Sequence, residues 1–330
     1  MTRVPRTILV APDAFKGTLS SQQVAAALGR GLGAAGRPVD LCPVADGGEG
    51  TLAALIDPLE LELVEAVVSD PLRRPVSALF GLGRGRRPVA VVESAQAIGL
   101  GLVGEDERDP WAASTYGAGQ LLAAAARAGA KAIYLGVGGS ATTDGGTGAL
   151  EAIAANGGLG HVQLVVLCDV RTPFEDAARV FGRQKGAGPD DVRRLTRRLQ
   201  RIAARLPRDP RGVPRTGAAG GLAGGLWAEL GAELVPGAAF VLDLLDFDRR
   251  MRSARAVATG EGRLDQQSLA GKLLSEVATR ARQSGVPCHA VVGSSELDSF
   301  GLRILDVQAV LEAGTPRQLA AAGRRLSGLI

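Results

Sequence analysis

The sequence GVGGSATTDGGTG, at residues 136–148, lies between the apolar run AKAIYL, at 130–135, and an alanine-rich segment at 149–155. This order predicts a buried strand, a glycine-rich loop and a helix. Glycine permits positive φ angles and close approach of the backbone to a ligand. A helix N-terminus presents unpaired N–H groups that suit an anion. The stretch therefore indicates either a phosphate or carboxylate site or a tight structural turn, since a glycine motif alone does not distinguish them.

The N-terminal part of the chain has the pattern of a parallel α/β sheet. The apolar run TILVA, at 7–11, predicts a strand, and a helix that a serine can cap follows to about residue 32. The run VDLCPV, at 39–44, predicts the next strand. Strand, helix and strand in this order open a doubly wound sheet, which binds ligands at the carboxyl ends of its strands.

Charged side chains follow both of these predicted strands. Asp13 and Lys16 come after the first strand, and Asp46 and Glu49 come after the second. Each of them has a structural alternative, because Asp13 suits a turn, Glu49 suits the first turn of a helix, and Lys16 suits a solvated loop. Several such loops at strand ends of one chain favour a functional site.

The pattern changes after about residue 60. Three short β-like runs, at 61–69, 75–80 and 88–92, follow one another without an intervening helix, which predicts hairpins or a mixed sheet. The alternation of strand, loop and helix returns near residue 254. We therefore predict two α/β domains, a discontinuous Rossmann-like parallel-sheet domain and a mixed-sheet domain inserted into it. The Rossmann-like domain comprises residues 1–60 and 241–330, and the inserted domain comprises residues 61–240.

Three further segments have a recognisable pattern. Residues 240–251 predict a helix, residues 304–311 predict a strand, and apolar residues at three- and four-residue steps predict an amphipathic helix at 190–206. The polar face of this last helix is rich in arginine, which suits either nucleic acid or solvent. No aromatic residues interleave with the arginines, which favours a solvated face.

The composition excludes several classes of protein. Hydrophobic residues make up 46% of 330 residues, which suffices for large cores. Aromatic residues are only 3% and the net charge is +4, so we predict no nucleic-acid partner. The N-terminus lacks a signal-peptide pattern, and no uncharged apolar run reaches about 18 residues. We therefore expect a cytoplasmic protein without membrane contact.

The cysteines and histidines do not form a recognisable metal or disulfide pattern. Cys42, Cys168 and Cys288 are isolated, and the chain has two histidines. Neither a disulfide framework nor a zinc site is predicted.

Acidic residues and lysines at loop ends indicate phosphoryl transfer. Lys16, Lys185 and Lys272 each lie beside a glycine. Carboxylates suit a hard cation such as Mg²⁺, and lysines with glycine-rich loops suit phosphates. The carboxylates in question are Asp13, Asp46, Glu49, Asp144, Asp169, Glu261 and Asp265.

Two common nucleotide motifs do not apply. Residues 268–272 (SLAGK) resemble the end of a P-loop, but Leu273 stands where serine or threonine is required. Residues 136–139 give GxGG and not the GxGxxG fingerprint of dinucleotide-binding domains. A dinucleotide-dependent dehydrogenase is therefore disfavoured.

Motifs along nearly the whole chain resemble those of the bacterial type 1 glycerate kinases. They occur in the family's order, which makes the resemblance specific. The motifs are ILVAPDAFKGTLSS (8–21), VADGGEGT (44–51), GGSATTDGG (138–146), FGRQKGA (181–187) and TGEGRLDQQSLAGK (259–272).

The resemblance implies ATP-dependent phosphorylation of D-glycerate to 2-phosphoglycerate, with Mg²⁺. It implies that Lys16 clamps the transferring phosphate and that Asp46 and Asp169 bind metal or accept the proton, with Glu49 as a second metal ligand beside Asp46. It also implies that the remaining site residues contact nucleotide or glycerate. These are Asp13, Gly138, Gly139, Ser140, Asp144, Lys185, Glu261, Arg263 and Asp265.

The chain departs from the family pattern at 157–162 and 171–176, where its segments are shorter. These departures keep two alternatives open, a kinase of another small hydroxy acid and a catalytically silent nucleotide- or carboxylate-binding protein. The sequence leaves open whether the chain forms a homo-oligomer.

Overall fold

The computed structural model describes residues 6–270 and 272–330 of the chain. Residues 1–5 of the predicted Rossmann-like domain and Gly271 of the motif at 259–272 lie outside these residues. The strands within them are β1 (Ile8–Pro12), β2 (Val39–Leu41), β3 (Leu61–Ser69), β4 (Pro75–Gly83), β5 (Val89–Glu93), β6 (Ala132–Gly136), β7 (Gln163–Leu167), β8 (Glu233–Val235), β9 (Ala256–Gly260), β10 (Arg263–Leu264), β11 (Cys288–Val292), β12 (Ser294–Ser295) and β13 (Ala309–Glu312).

The α-helices alternate with these strands over most of the chain. They are α1 (Ser21–Ala34), α2 (Thr51–Leu55), α3 (Ala95–Ile98), α4 (Tyr116–Arg127), α5 (Thr147–Ala155), α6 (Ala177–Phe181), α7 (Pro189–Ala203), α8 (Leu222–Leu230), α9 (Gly237–Leu244), α10 (Phe247–Ser253), α11 (Leu273–Gln283), α12 (Ser299–Leu305) and α13 (Pro316–Ser327).

Contacts between residues divide the chain into two units. Unit 1 comprises Met1–Asp46 and Ala238–Ile330, and unit 2 comprises Gly47–Gly237. Each unit has its own main β-sheet, and unit 1 also contains the two-stranded parallel sheet β10-β12, so the two units are described in turn.

The sheet of unit 1 has the strand order β13-β11-β9-β1-β2, and each neighbouring pair runs parallel. In the centre, Ile8 of β1 pairs with Val39 of β2 on one side and with Ala256 of β9 on the other. The chain proceeds outward from β1 in one direction and from β9 in the opposite direction. The sheet order therefore reverses between β1 and β9, which is the position at which open α/β sheets bind ligands.

Helices cover both faces of the unit 1 sheet. On one face α1 and α13 pack together, with Leu28 and Leu319 in a buried cluster that includes Val291 of β11. On the other face Leu274 of α11 packs in a cluster with Val292 of the same strand. Val291 and Val292 point to opposite faces because successive side chains of a strand alternate. Unit 1 is therefore doubly wound.

The sheet of unit 2 is mixed and has the order β3-β4-β5-β6-β7-β8. The first three strands run antiparallel, as the hairpin pattern predicts, and β5 to β8 run parallel. Phe80 of β4, Leu121 of α4, Ile133 of β6 and Leu222 of α8 share one buried cluster. The two sheets confirm the predicted fold class, a discontinuous parallel-sheet unit and an inserted mixed-sheet α/β unit.

Two of the predicted elements are wrong in detail. The predicted strand at 304–311 is instead the end of α12 followed by β13, because Asp306 adopts a left-handed φ of 55° and ends the helix. The predicted helix at 240–251 is two helices, α9 and α10, separated at Asp246, where φ is 52°. A positive φ at a residue other than glycine cannot be inferred from hydrophobic spacing.

A glycine allows α1 to approach α13 closely. A Cβ atom at Gly31 would lie 2.1 Å from the carbonyl oxygen of Ala320 and 3.0 Å from the Cα of Gly323, both in α13. Gly33 lies on the exposed side of α1, and a Cβ atom there would have no neighbour within 4 Å. Gly31 and Gly33 therefore have contrasting surroundings within the same helix.

Replacing Gly31 with alanine should push α1 away from α13 and lower the free energy of unfolding by about 1–3 kcal/mol. The matched change Gly33→Ala should raise it by about 0.5–1 kcal/mol, because alanine loses less backbone entropy in a helix. Urea unfolding of the two variants measures both effects. Equal changes in the two variants would show that the helices are not packed backbone to backbone at Gly31.

Candidate active site

A pocket of about 370 Å³ lies at the carboxyl edge of the unit 1 sheet. The segments that follow β1, β9, β11 and β13 all contribute to its wall, so it occupies the position where the strand order reverses. Its charged side chains belong to Asp13, Lys16, Asp46, Glu261, Arg263, Asp265 and Lys272. The structure thus brings together six of the predicted site residues, and Lys272 joins them.

Lys16 and Asp46 form an ion pair in this pocket. The Nζ atom of Lys16 lies 3.3 Å from Oδ2 of Asp46, and the lysine side chain is 70% exposed. Asp46 reaches this position because the chain continues beside β1 after β2, where the N–H of Val44 donates to the Pro12 carbonyl at 3.1 Å. The Asp46 carboxylate raises the pKa of Lys16, which keeps the ammonium group charged at neutral pH.

Asp13 is the buried carboxyl group of the pocket. It follows β1 directly, it is 8% exposed, and its Oδ1 accepts a hydrogen bond of 2.7 Å from the Ala14 N–H. Burial raises the pKa of Asp13 to about 8, the Asp46 charge adds to this increase, and Lys16 opposes it. A neighbouring cation or metal ion would favour its ionised form.

Glu261 is a second buried carboxyl group, placed directly after β9. It is 8% exposed, and its Oε1 atom has no hydrogen-bond partner among the described residues. Burial raises the pKa of Glu261, whereas its hydrogen bond with Ser268 lowers it. An unsatisfied buried oxygen calls for an explanation such as an ion or a ligand.

Arg263 and Lys272 already contact carboxylates of unit 1. Arg263 donates to Glu296 at 2.7 Å on the protein surface, and Lys272 lies 3.9 Å from Oδ1 of Asp265. Both cations line the pocket. Both cations are therefore close enough to compensate an anionic ligand. To do so, each must leave its carboxylate partner or share it with the ligand.

Three glycines that line the pocket, Gly262, Gly293 and Gly314, were not among the predicted site residues. A Cβ atom at Gly293 would lie 2.3 Å from the Gly262 carbonyl oxygen, so two loops of the pocket touch backbone to backbone. Gly314 also lines the pocket. Their positions in the sequence could have indicated them, because each follows a strand of the same parallel sheet.

The glycine loop, defined here as residues 138–146, lies in unit 2 after β6. A Cβ atom at Gly138 would lie 2.7 Å from the Gly48 Cα, and Gly139 has a φ of 71°. Ser140 is buried. Gly138 therefore fits only because it has no side chain, and Gly139 adopts a conformation that glycine favours.

Asp144 anchors this loop to two helices. Its carboxylate accepts hydrogen bonds from the N–H and hydroxyl groups of Thr115, both at 2.9 Å, before α4. It also accepts from the N–H groups of Gly146 and Gly148, at 3.1 and 3.2 Å, at the start of α5. Protein donors thus engage both carboxylate oxygens, and direct contact of Asp144 with a ligand stays a prediction.

Lys185 is buried against the glycine loop. Its Nζ atom donates to the Thr142 carbonyl oxygen at 2.6 Å and to Ser140 Oγ at 3.1 Å. The residue is only 3% exposed. Burial lowers the pKa of Lys185 to about 7, and the charge of Asp144 opposes this decrease.

The remaining predicted residues lie elsewhere in unit 2. Asp169 is half-buried and follows β7, and Glu49 is exposed in the loop before α2. Within residues 6–270 and 272–330 no three His, Cys, Asp or Glu side chains are arranged as a ready metal site. Where Mg²⁺ binds together with phosphates, a protein usually supplies one or two carboxylates, and phosphate and water complete the coordination shell. Asp13, Asp46 and Glu261 line one pocket, and one or two of them suffice as carboxylate ligands.

No helix in the described part of the chain is both long and apolar enough to cross a membrane.

Comparison with known proteins identifies the family. The chain matches the model of the glycerate kinase family over residues 8–157 and 154–324. It is 40% identical to the glycerate kinase of Halalkalibacterium halodurans, over 87% of this chain and 85% of that protein. It is 36% identical to the glycerate 2-kinase of Escherichia coli, again over 87% and 85% of the two chains.

A solved structure agrees with the sequence matches. The crystal structure of a candidate glycerate kinase 2 from Salmonella typhimurium LT2 superposes with a TM-score of 0.83 at 31% identity. The match covers 99% of this chain and 98% of that chain. The resemblance found in the sequence motifs is thereby confirmed, and this chain belongs to the glycerate kinase family.

Proposed function

We propose that the protein transfers the γ-phosphoryl group of ATP to D-glycerate, with Mg²⁺, and forms 2-phosphoglycerate. The observation that carries this proposal is the unit 1 pocket, where Lys16 meets the carboxyl groups of Asp13, Asp46 and Glu261. Membership of the glycerate kinase family supports kinase chemistry. The Escherichia coli relative, named glycerate 2-kinase, supports phosphorylation at the 2-position.

Lys16 supplies the positive charge that phosphoryl transfer requires. Its side chain is exposed, and its ammonium group is held beside Asp46. Phosphoryl transfer depends mainly on positioning and on neutralising charge on the phosphoryl oxygens. In this proposal the ammonium group moves from its carboxylate partner to those oxygens.

The buried carboxyl groups would hold the metal ion. Mg²⁺ supplies charge neutralisation to the phosphates when it is bound. Asp13 and Glu261 are buried in the pocket, and Oε1 of Glu261 has no described hydrogen-bond partner. Asp46 and Glu49 are alternative donors, and Glu49 lies in unit 2.

Asp46 is our candidate for accepting the hydroxyl proton. Its side chain is 20% exposed, so a substrate hydroxyl can reach it, and it contacts the lysine that neutralises the phosphate. A carboxylate positioned in this way contributes general base catalysis. Asp169 is the alternative base, and comparison of Asp46→Asn with Asp169→Asn distinguishes the two.

Several residues of the two units have binding roles in this proposal. Arg263, Lys272 and Asp265 would contact the substrates from unit 1. Gly138, Gly139 and Ser140 would present backbone and hydroxyl groups of the glycine loop. Asp144 would support this binding by holding the start of α5.

We further propose that the protein works in the cytoplasm. Cys42, Cys168 and Cys288 are buried free thiols, which suits a reducing compartment. ATP is also available there. In this proposal the partners are small molecules, and neither nucleic acid nor a membrane takes part.

Phosphorus NMR with ATP, Mg²⁺ and D-glycerate tests the reaction directly. A new phosphomonoester signal matching 2-phosphoglycerate is expected. A signal matching 3-phosphoglycerate would overturn the proposed position of transfer. Absence of any transfer would contradict glycerate kinase activity and point to another hydroxy acid or to a silent binding protein.

Lys16→Ala and Asp46→Asn should each lower kcat by at least about 100-fold, because each removes charge or proton transfer from the reacting groups. Lys131→Ala, which changes an exposed lysine of unit 2, is the matched control and should leave kcat unchanged. Steady-state assays of the folded variants measure the effect. A normal rate in either variant would remove that residue from the mechanism.

Asp13→Asn should change how stability depends on pH. The pKa of Asp13 rises from 3.8 to about 8 on folding, so the folded protein binds this proton more tightly than the unfolded chain. The free energy of unfolding therefore falls as pH rises through this range. Asparagine does not titrate, so the variant should exceed the wild type by roughly 1–3 kcal/mol at pH 8 and lose this advantage near pH 4.

Thermal unfolding in EDTA across this range of pH measures the difference. Mg²⁺ should then raise the Tm of the wild type more than that of Asp13→Asn. Asp57→Asn, at an exposed aspartate, is the control and should follow the wild type. Parallel profiles for all three proteins would contradict a raised pKa at Asp13.

A further inference from the structure

Lys185 carries a charge that is costly to bury. Its ammonium group lies within unit 2, 3% exposed, and both of its described hydrogen bonds go to the glycine loop. Removal of an ammonium group from water costs several kcal/mol unless partners compensate it. Such a lysine stabilises a particular local shape more readily than it stabilises the whole fold.

The loop is held from both sides by opposite charges. The ammonium group of Lys185 fixes Ser140 and the Thr142 carbonyl, and the carboxylate of Asp144 fixes the start of α5. Lys185 itself is held in a 3-10 turn, Arg183–Lys185, which ends at Gly186 with a φ of 92°. Two charged side chains thus determine the path of the loop between β6 and α5.

The loop does not satisfy its own polar groups. The hydroxyl groups of Thr142 and Thr143 are fully buried, and within the described residues neither has a hydrogen-bond partner. Unsatisfied buried hydroxyl groups disfavour a conformation. The conformation therefore depends on contacts supplied from outside the loop, and the ammonium group of Lys185 is one of them.

We propose that Lys185 is a positioning residue, whose ammonium group holds the glycine loop at Ser140 and Thr142 in the shape required for phosphoryl transfer. This inference rests on the proposed glycerate kinase function. It differs from direct binding of the substrate by Lys185, because the side chain is buried and directed at the loop. The lowered pKa of Lys185 agrees with a buried ammonium group that has few compensating charges.

Lys185→Met tests the proposal, since methionine keeps much of the length of the side chain and removes the charge and both hydrogen bonds. Phosphoryl transfer should fall about 10–100-fold, mainly in kcat, with KM for glycerate changed less than about threefold. The Tm should change by only a few degrees, because loss of the buried charge offsets loss of its contacts. Lys131→Met, at an exposed lysine, is the control.

Ser140→Ala provides a second variant that removes one of the two contacts. It should lower kcat less than Lys185→Met does, and the double variant should be no slower than Lys185→Met alone. Additive losses would show that Lys185 does not act through Ser140. If Lys185→Met does not fold, Ser140→Ala must still lower kcat; a normal rate would overturn the proposal.

Hydrogen exchange gives a readout that does not require activity. Amides of residues 140–146 should exchange faster in Lys185→Met than in the wild type, while amides of β6 remain protected. Unchanged exchange in the loop would overturn the positioning role. An inactive wild-type enzyme with a loop that loosens in the variant would refute the proposed function and leave the structural part of this inference standing.

Discussion

Burial of the Asp13 carboxyl group at the end of β1 is the constraint on which the unit 1 site depends. The sheet order reverses between the neighbouring strands β1 and β9. Asp13 and Glu261, which directly follow these strands, therefore line the same pocket although they are far apart in the sequence. Burial disfavours the ionised form of both carboxyl groups and raises their pKa values, and the charge of Asp46 adds to this effect at Asp13. Lys16 compensates only part of this charge. In the proposed function a divalent cation would compensate the remaining negative charge, so the electrostatics of the pocket and its proposed chemistry have the same origin.

Unit 2 relies on a different constraint, the close approach of backbones. Gly138 meets Gly48 where no side chain would fit, and the glycine loop then passes to α5. Asp144 and Lys185 act on this loop with opposite charges, one through four hydrogen bonds and the other through two. Glycine gives the loop its path at a cost in conformational entropy, and these charged groups hold it in that path. In unit 2 the glycines therefore permit the loop conformation, and the buried charged side chains stabilise it.

Much of this arrangement was predictable from the sequence because strands of a parallel sheet end at one edge. The apolar runs before Asp13 and Asp46 were sufficient to place both residues at that edge, and the structure places them in one pocket. The burial of Lys185 was not predictable, since its partners lie 43 and 45 residues away. Gly293 was missed for a similar reason, because its role depends on contact with Gly262 across the sheet. The strand predicted at 304–311 was wrong because hydrophobic spacing does not reveal the left-handed conformation of Asp306.

In the proposed function, the protonated carboxyl group of Asp13 in the unit 1 pocket loses its proton when a cation binds. A carbon-13 NMR titration of labelled aspartate side chains, with Asp13→Asn used for assignment, tests it most directly. We expect one aspartate that titrates near pH 8 without metal and at lower pH after Mg²⁺ and ATP are added. Titration of the Asp13 signal near pH 4, its ordinary range, with no response to Mg²⁺ and ATP would show that this carboxyl group neither retains a proton at neutral pH nor responds to a cation.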